Sequence, residues 1–323
     1  MRKVLLATTA LAMMGGVSAA YADISVSGGH ELKYQSWSKK QSTTVNNSKI
    51  SSGATYTISG SSVLDNGMTI SGKIYSDNVA DGSGFESQGF SISDDWGTIG
   101  VADMEQGDAF ATATDITDDE AWDGGAAFTT SGSVAYRPGD EQVAGADVSY
   151  MSPNISGFQF SVGMNDTGAY SDATMYGAQY AMTAGDAAIT LKYAASNTGK
   201  TTSGASDEKD ATSMGLVVGM GGATVTIAQN TLEIGNGATE SYEAGSMAIA
   251  YTVSDALTVE AYSGTTENDV DAQYEVKDTG YGVTYTVTPG MTLSVTHNNW
   301  SFTNNSGTKD DGTNTAVALN VSF

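Results

Sequence analysis

One pattern recurs along almost the whole chain and limits what it can fold into. Stretches of about 8–12 residues alternate apolar with polar side chains, and each ends in a tight turn or a longer polar loop. Successive side chains on a strand point to opposite faces, so every such stretch has one apolar face and one small or polar face. In the last ten residues, Thr315, Val317, Leu319, Val321 and Phe323 oppose Asn314, Ala316, Ala318, Asn320 and Ser322. In the first stretch, Ile24, Val26, Leu32 and Tyr34 oppose Ser25, Ser27, Glu31, Lys33 and Gln35. His30 falls on the apolar side and is assigned to a subunit contact.

Turn signals stand at Asp65-Asn66-Gly67, Asp94-Asp95-Trp96-Gly97, Ala184-Gly185-Asp186, Gly221-Gly222, Ser254-Asp255 and Pro289-Gly290. Between them lie polar loops, read at 37–52, 77–86, 195–210, 231–241, 264–275 and 299–313. The longest interruption, 104–144, lacks sustained alternation, although Val134 and Tyr136 suit a short strand. Loops this long inside a β-domain are usually functional or disordered. The pattern predicts sixteen strands with short and long connections in strict alternation.

Sixteen antiparallel strands in an open meander would leave unpaired edges, whereas closure sets the last strand beside the first. The interior of such a barrel is too wide for side chains to fill. The polar face then lines water, and the apolar face meets lipid, where only a closed barrel satisfies every backbone group. Tyr34, Trp37, Trp96, Tyr180, Tyr193 and Tyr251 cluster near strand ends, as interfacial girdles require. A secreted or surface-layer β-rich adhesin would show the same alternation. The export leader, the even strand count and the two-length rhythm of the connections together favour the membrane alternative. Arg2-Lys3, the apolar run Val4–Met14 and Ala20-Tyr21-Ala22 have the three parts of an export signal, so residues 1–22 are expected to be cleaved, leaving a barrel domain of 23–323.

Composition agrees with an all-β chain: 39 Gly, 3 Pro and 15% charged residues. The absence of Cys excludes disulfides and thiolate metal sites. The formal net charge is -24, and leaving out Arg2 and Lys3 gives 11 basic against 37 acidic residues. Nucleic acid demands a basic footprint, so it is excluded as a partner; cations are favoured. With only His30 and His297 and no nucleophile–base spacing, an outer-membrane barrel enzyme is the least favoured alternative.

Three passages resemble the Gram-negative general porins. Phe90 to Val101, with Asp94-Asp95-Trp96-Gly97 at its turn, is similar to the strand–turn–strand segment before that family's constriction loop. Val148-Ser149-Tyr150-Met151-Ser152-Pro153 followed by Gly157-Phe158 resembles the hairpin after it, and the strand ending in Phe323 resembles the family's assembly signal. The resemblance implies a sixteen-stranded transmembrane antiparallel up-and-down β-barrel with its third loop, about 104–144, folded into the lumen. It also implies a homotrimer among outer-membrane lipid and lipopolysaccharide, passing small hydrophilic solutes. Two departures matter: Ala102-Asp103 stand where the family usually has a basic residue, and Arg137 is the sole arginine after the leader.

In such a loop Asp103, Glu105, Asp108, Asp115, Asp118, Asp119, Glu120 and Asp123 would focus a negative potential and prefer cations. Lys33, Lys73 and Lys192, on the lumenal parity, and Arg137 would supply the opposite wall. Solvated loop charges without a pore role are the alternative for the acids. Asp115, Asp118, Asp119 and Glu120 also suit calcium, though no cofactor is required and no EF-hand is present.

Overall fold

Period-two patterning becomes sixteen strands in a computed structural model that describes residues 23–38, 48–77, 87–102, 104, 106, 109–112, 146–165, 173–198, 208–235, 240–268, 274–304, 307 and 309–323. The first eight are β1 (Asp23–Trp37), β2 (Ser48–Val63), β3 (Thr69–Asp77), β4 (Ser87–Asp94), β5 (Gly97–Ala102), β6 (Val148–Met151), β7 (Phe158–Asn165) and β8 (Ala173–Ala184). Then come β9 (Ala187–Thr198), β10 (Glu208–Met220), β11 (Ala223–Gly235), β12 (Glu240–Ser254), β13 (Leu257–Asn268), β14 (Tyr274–Thr288), β15 (Met291–Asn304) and β16 (Lys309–Ser322). Each strand pairs antiparallel with its neighbours in sequence, and β16 closes the barrel on β1 from Gly29↔Ser322 to Trp37↔Asn314. Closure removes the edges that an open sheet of this size would expose. The expected leader, 1–22, and the suggested strand at Val134 and Tyr136 lie outside the described residues.

The apolar parity faces outward. Ile24, Val26, Leu32 and Tyr34 of β1 are exposed, as are Tyr176, Tyr180 and Met182 of β8 and Tyr281, Val283, Tyr285 and Val287 of β14. Water would not tolerate so continuous an apolar band, and lipid does. The other parity faces inward, where Gln35, Ser149, Ser213, Asn230, Thr266 and Asn298 are buried.

Three details differ from expectation. Trp37 is not part of an outer girdle: it shares the parity of Lys33 and Gln35, so it points inward and is 2% exposed. Tyr34, Trp96, Tyr180, Tyr193 and Tyr251 are exposed as expected. His297, which the adjacent Asn298 and Asn299 make look like a loop mouth in the sequence, lies inside β15, with its ring 5.3 Å from that of Tyr281 and Nδ1 2.8 Å from Thr315 Oγ1. The long connections are also shorter than predicted. β11 runs to Gly235 where a loop was read from 231, and β16 starts at Lys309 where a loop was read to 313. In β11 the cause is an apolar patch on the inner face near the long-loop end, where Ala194, Ala211, Leu232, Tyr242, Val276 and Trp300 form a buried cluster. Thr231 and Glu233 take the outer parity there and Leu232 and Ile234 the inner one, so the alternation reverses its phase while the backbone ladder continues. In β16 the turn-like run Asp310-Asp311-Gly312 is held in the ladder by pairing with Phe302, Ser301 and Trp300 of β15.

Candidate functional site

The site begins where β5 ends. Ala102 adopts φ 51°, a left-handed conformation unusual for a residue with a β-carbon, and its N–H donates to Asp147 O at 2.7 Å. That bend turns the chain off the β5 ladder into the barrel. The described residues beyond it, 104, 106 and 109–112, lie along the inner wall. Gln106 N–H donates to Ser149 Oγ of β6 at 2.6 Å. Phe110 is 3% exposed and packs over Gly177 of β8. Ala111 packs against the inner apolar cluster of Ala194, Ala211 and Leu232. At Thr112 two polar groups of the wall converge: its N–H donates to Ser213 Oγ of β10 at 2.8 Å, and its carbonyl accepts from Asn230 Nδ2 of β11 at 3.3 Å.

This segment therefore spans the six adjacent wall strands from β6 to β11 and is bonded to three of them. Each hydrogen bond contributes about 0.5–1.5 kcal/mol net. Burying a Phe side chain contributes about 1.5–3 kcal/mol. The wall side of these contacts is polar and buried, with Ser149 at 2%, Ser213 at 0% and Asn230 at 1% exposure. Such groups are costly to bury unbonded, and the loop backbone supplies their partners.

Of the residues singled out in the sequence, Lys33, Lys73 and Lys192 all stand on the inner face. Lys33 Nζ lies 3.4 Å from Glu31 Oε1, so this pair neutralises itself. Lys192 of β9 is opposite Gly215 of β10 and Gln179 of β8, beside the place where Thr112 docks. Lys73 is opposite Ser59 and Gly89 on β2 and β4, away from the docked segment. Asp103, Glu105, Asp108, Asp115, Asp118, Asp119, Glu120, Asp123 and Arg137 lie outside the described residues. Sequence reading missed Ser149, Ser213, Asn230, Gly177 and Gly215. On their strands they look like ordinary small or polar inner positions, and only the loop's path distinguishes them.

The histidines stand on the outer face. His30 Nε2 is 3.0 Å from Tyr56 Oη, and its ring stacks on Phe323 with centroids 6.1 Å apart.

The sequence profile described as Gram-negative porin matches residues 7–315. No curated protein matches the chain significantly. Among solved structures, a loop L8 deletion mutant of OmpT, an outer membrane protein of Vibrio cholerae, superposes with a TM-score of 0.67 at 14% identity, covering 94% of this chain and 99% of that one. An anion-selective porin from Comamonas acidovorans gives a TM-score of 0.62 at 13% identity, covering 94% and 100%. The trimer form of the same Vibrio cholerae protein gives 0.65 at 14% identity, covering 94% and 99%.

Proposed function

Because this chain belongs to the Gram-negative porin family and is an outer-membrane channel, we propose that it passes small hydrophilic solutes and ions by diffusion and prefers cations. The observation that carries this is the docked segment, Gln106 to Thr112, bonded to Ser149, Ser213 and Asn230 inside a closed barrel with an apolar exterior. A loop held inside a wide, polar-walled barrel narrows the passage without filling it. Diffusive passage makes and breaks no covalent bond and needs no cofactor.

The sign of the preference follows from charge. The chain carries 37 acidic against 13 basic residues. The proposed source is the set of acids in the same stretch of sequence, Asp103 to Asp123. Inside a low-dielectric channel they raise the local cation concentration. Lys33 is already paired with Glu31, so it opposes them weakly. The anion-selective porin from Comamonas acidovorans shares the fold, so the fold does not set the sign. Asp115, Asp118, Asp119 and Glu120 are the proposed oxygen ligands for calcium. A homotrimer embedded in outer-membrane lipid and lipopolysaccharide is the proposed assembly, supported by the trimer form among the similar structures.

Planar-bilayer recording of the purified protein tests the proposal. Stepwise currents are expected, with a reversal potential toward that of the cation; purified protein that gives no steps would end the channel reading. Replacing Asp115, Asp118, Asp119 and Glu120 together by Asn or Gln should shift the reversal potential toward zero. An unchanged reversal potential would remove these carboxylates from the selectivity mechanism.

A further inference from the structure

Two glycines of the inner wall, Gly177 and Gly215, make room for the docked segment, as Gly312 does for Trp300. Glycine inside a strand weakens it, so it calls for either a special backbone angle or a close neighbour. Gly177 and Gly215 do not have the left-handed φ of Gly97 or Gly157. They do have close neighbours. A β-carbon at Gly215 would overlap Thr112 Oγ1 and lie 2.7 Å from Thr112 Cβ and 2.9 Å from Thr112 Cγ2. One at Gly177 would lie 3.1 Å from Phe110 Cδ2, Ser161 Oγ and Tyr193 O. At Gly53, Gly219, Gly235 and Gly245, by contrast, a β-carbon would meet nothing within 4 Å.

We propose that Gly177 and Gly215 are sockets for Phe110 and Thr112. Together with Ser149, Ser213 and Asn230, they are positioning residues that hold the lumenal loop against the wall and set the free cross-section of the channel. The polar groups bracket the sockets: Ser149 fixes Gln106 before them, and Ser213 and Asn230 fix the backbone of Thr112 on both sides. Sockets and anchors lie on the inward parity of β6, β8, β10 and β11, and the side-by-side pairing of β6 to β11 brings them into one strip. Solutes need not touch these residues; they act through the position of the loop. The proposal rests on the diffusion-channel reading and specifies which residues of the same passage determine its width.

Gly215→Ala is the sharper probe, because all three atoms nearest its new methyl group belong to Thr112. Thr112 Cβ and Cγ2 would have to retreat by about 1 Å to reach ordinary contact, away from the wall and into the lumen. The expected result is a loss of open-state conductance and added current flicker, in protein that keeps the heat-modifiable gel mobility of a folded barrel. Adding Thr112→Gly removes the three crowding atoms and keeps the N–H and carbonyl that bind Ser213 and Asn230. It should return G215A to wild-type conductance.

A G215A channel with wild-type conductance and noise overturns the proposal, and so does a double variant that stays at the G215A level. Should G215A fail to assemble, Ser213→Ala replaces it. S213A removes one anchor and adds no bulk, so it should add flicker, and wild-type noise there also overturns the proposal. These outcomes are read against wild-type channels. If the wild type itself forms none, it is the channel reading that fails.

Discussion

Two neighbouring residues, Gly97 and Ala102, show what one β-carbon can decide. Gly97 has φ 120°, and a β-carbon on it would overlap Met151 O and lie 3.1 Å from the Tyr150 ring. Across the same contact Tyr150 Oη donates to Trp96 O at 2.7 Å, and the Trp96 and Tyr150 rings stack with centroids 6.3 Å apart. The two passages flanking the long loop in sequence therefore touch in space. Gly97→Ala should cost about 2 kcal/mol or more through strain and overpacking. Its heat-modifiable band should convert to the unfolded form at a lower temperature than wild type. Ala102 is the opposite case, a non-glycine held at φ 51°. Ala102→Gly relieves about 1 kcal/mol of strain, partly offset by the freer unfolded chain. Its conversion temperature should match or exceed wild type, and a clear drop would show that Ala102 is not strained.

At the scale of elements, the seam between β1 and β16 carries the closure. Phe323 and Gly28 exchange two backbone hydrogen bonds, each 3.0 Å long. The Phe323 ring packs on His30 and Tyr56, and Gly28 leaves room for it. Aromatic contacts of this kind contribute about 0.5–1.5 kcal/mol beyond area burial. They lie at the end of a strand and on the outer face, away from the docked loop segment. Phe323→Ala should therefore lower the yield of heat-modifiable barrel while leaving the conductance of the channels that do form unchanged. Normal yield with altered conductance would contradict that assignment. His30 looked misplaced among apolar neighbours in the sequence, and its partner 26 residues on, Tyr56, was not visible there.

For the whole molecule, selectivity is a property of the summed field. If acidic charge in a wet passage sets it, screening must weaken it: the Debye length falls from about 10 Å at 0.1 M salt to about 3 Å at 1 M. The ratio of cation to anion permeability should drop between those concentrations at a fixed gradient, and a constant ratio would point to a geometric filter instead. The sequence by itself determined the strand count, the direction of each face, the closure and the place of the long loop. All of these follow from period-two alternation and turn chemistry, which are local. It also placed Lys33, Lys73 and Lys192 on the inner face, since parity is local too. Tertiary structure decided the rest. Where the inner face became apolar, at Leu232, Val276 and Trp300, the apolar parity switched sides and the strand ends were misplaced. Ser149, Gly177, Ser213, Gly215 and Asn230 become one site only because β6 to β11 pair side by side and the chain bends inward at Ala102. Contacts between residues about a hundred positions apart, such as Thr112 with Ser213 and Asn230, depend on that path and leave no periodic trace in the sequence.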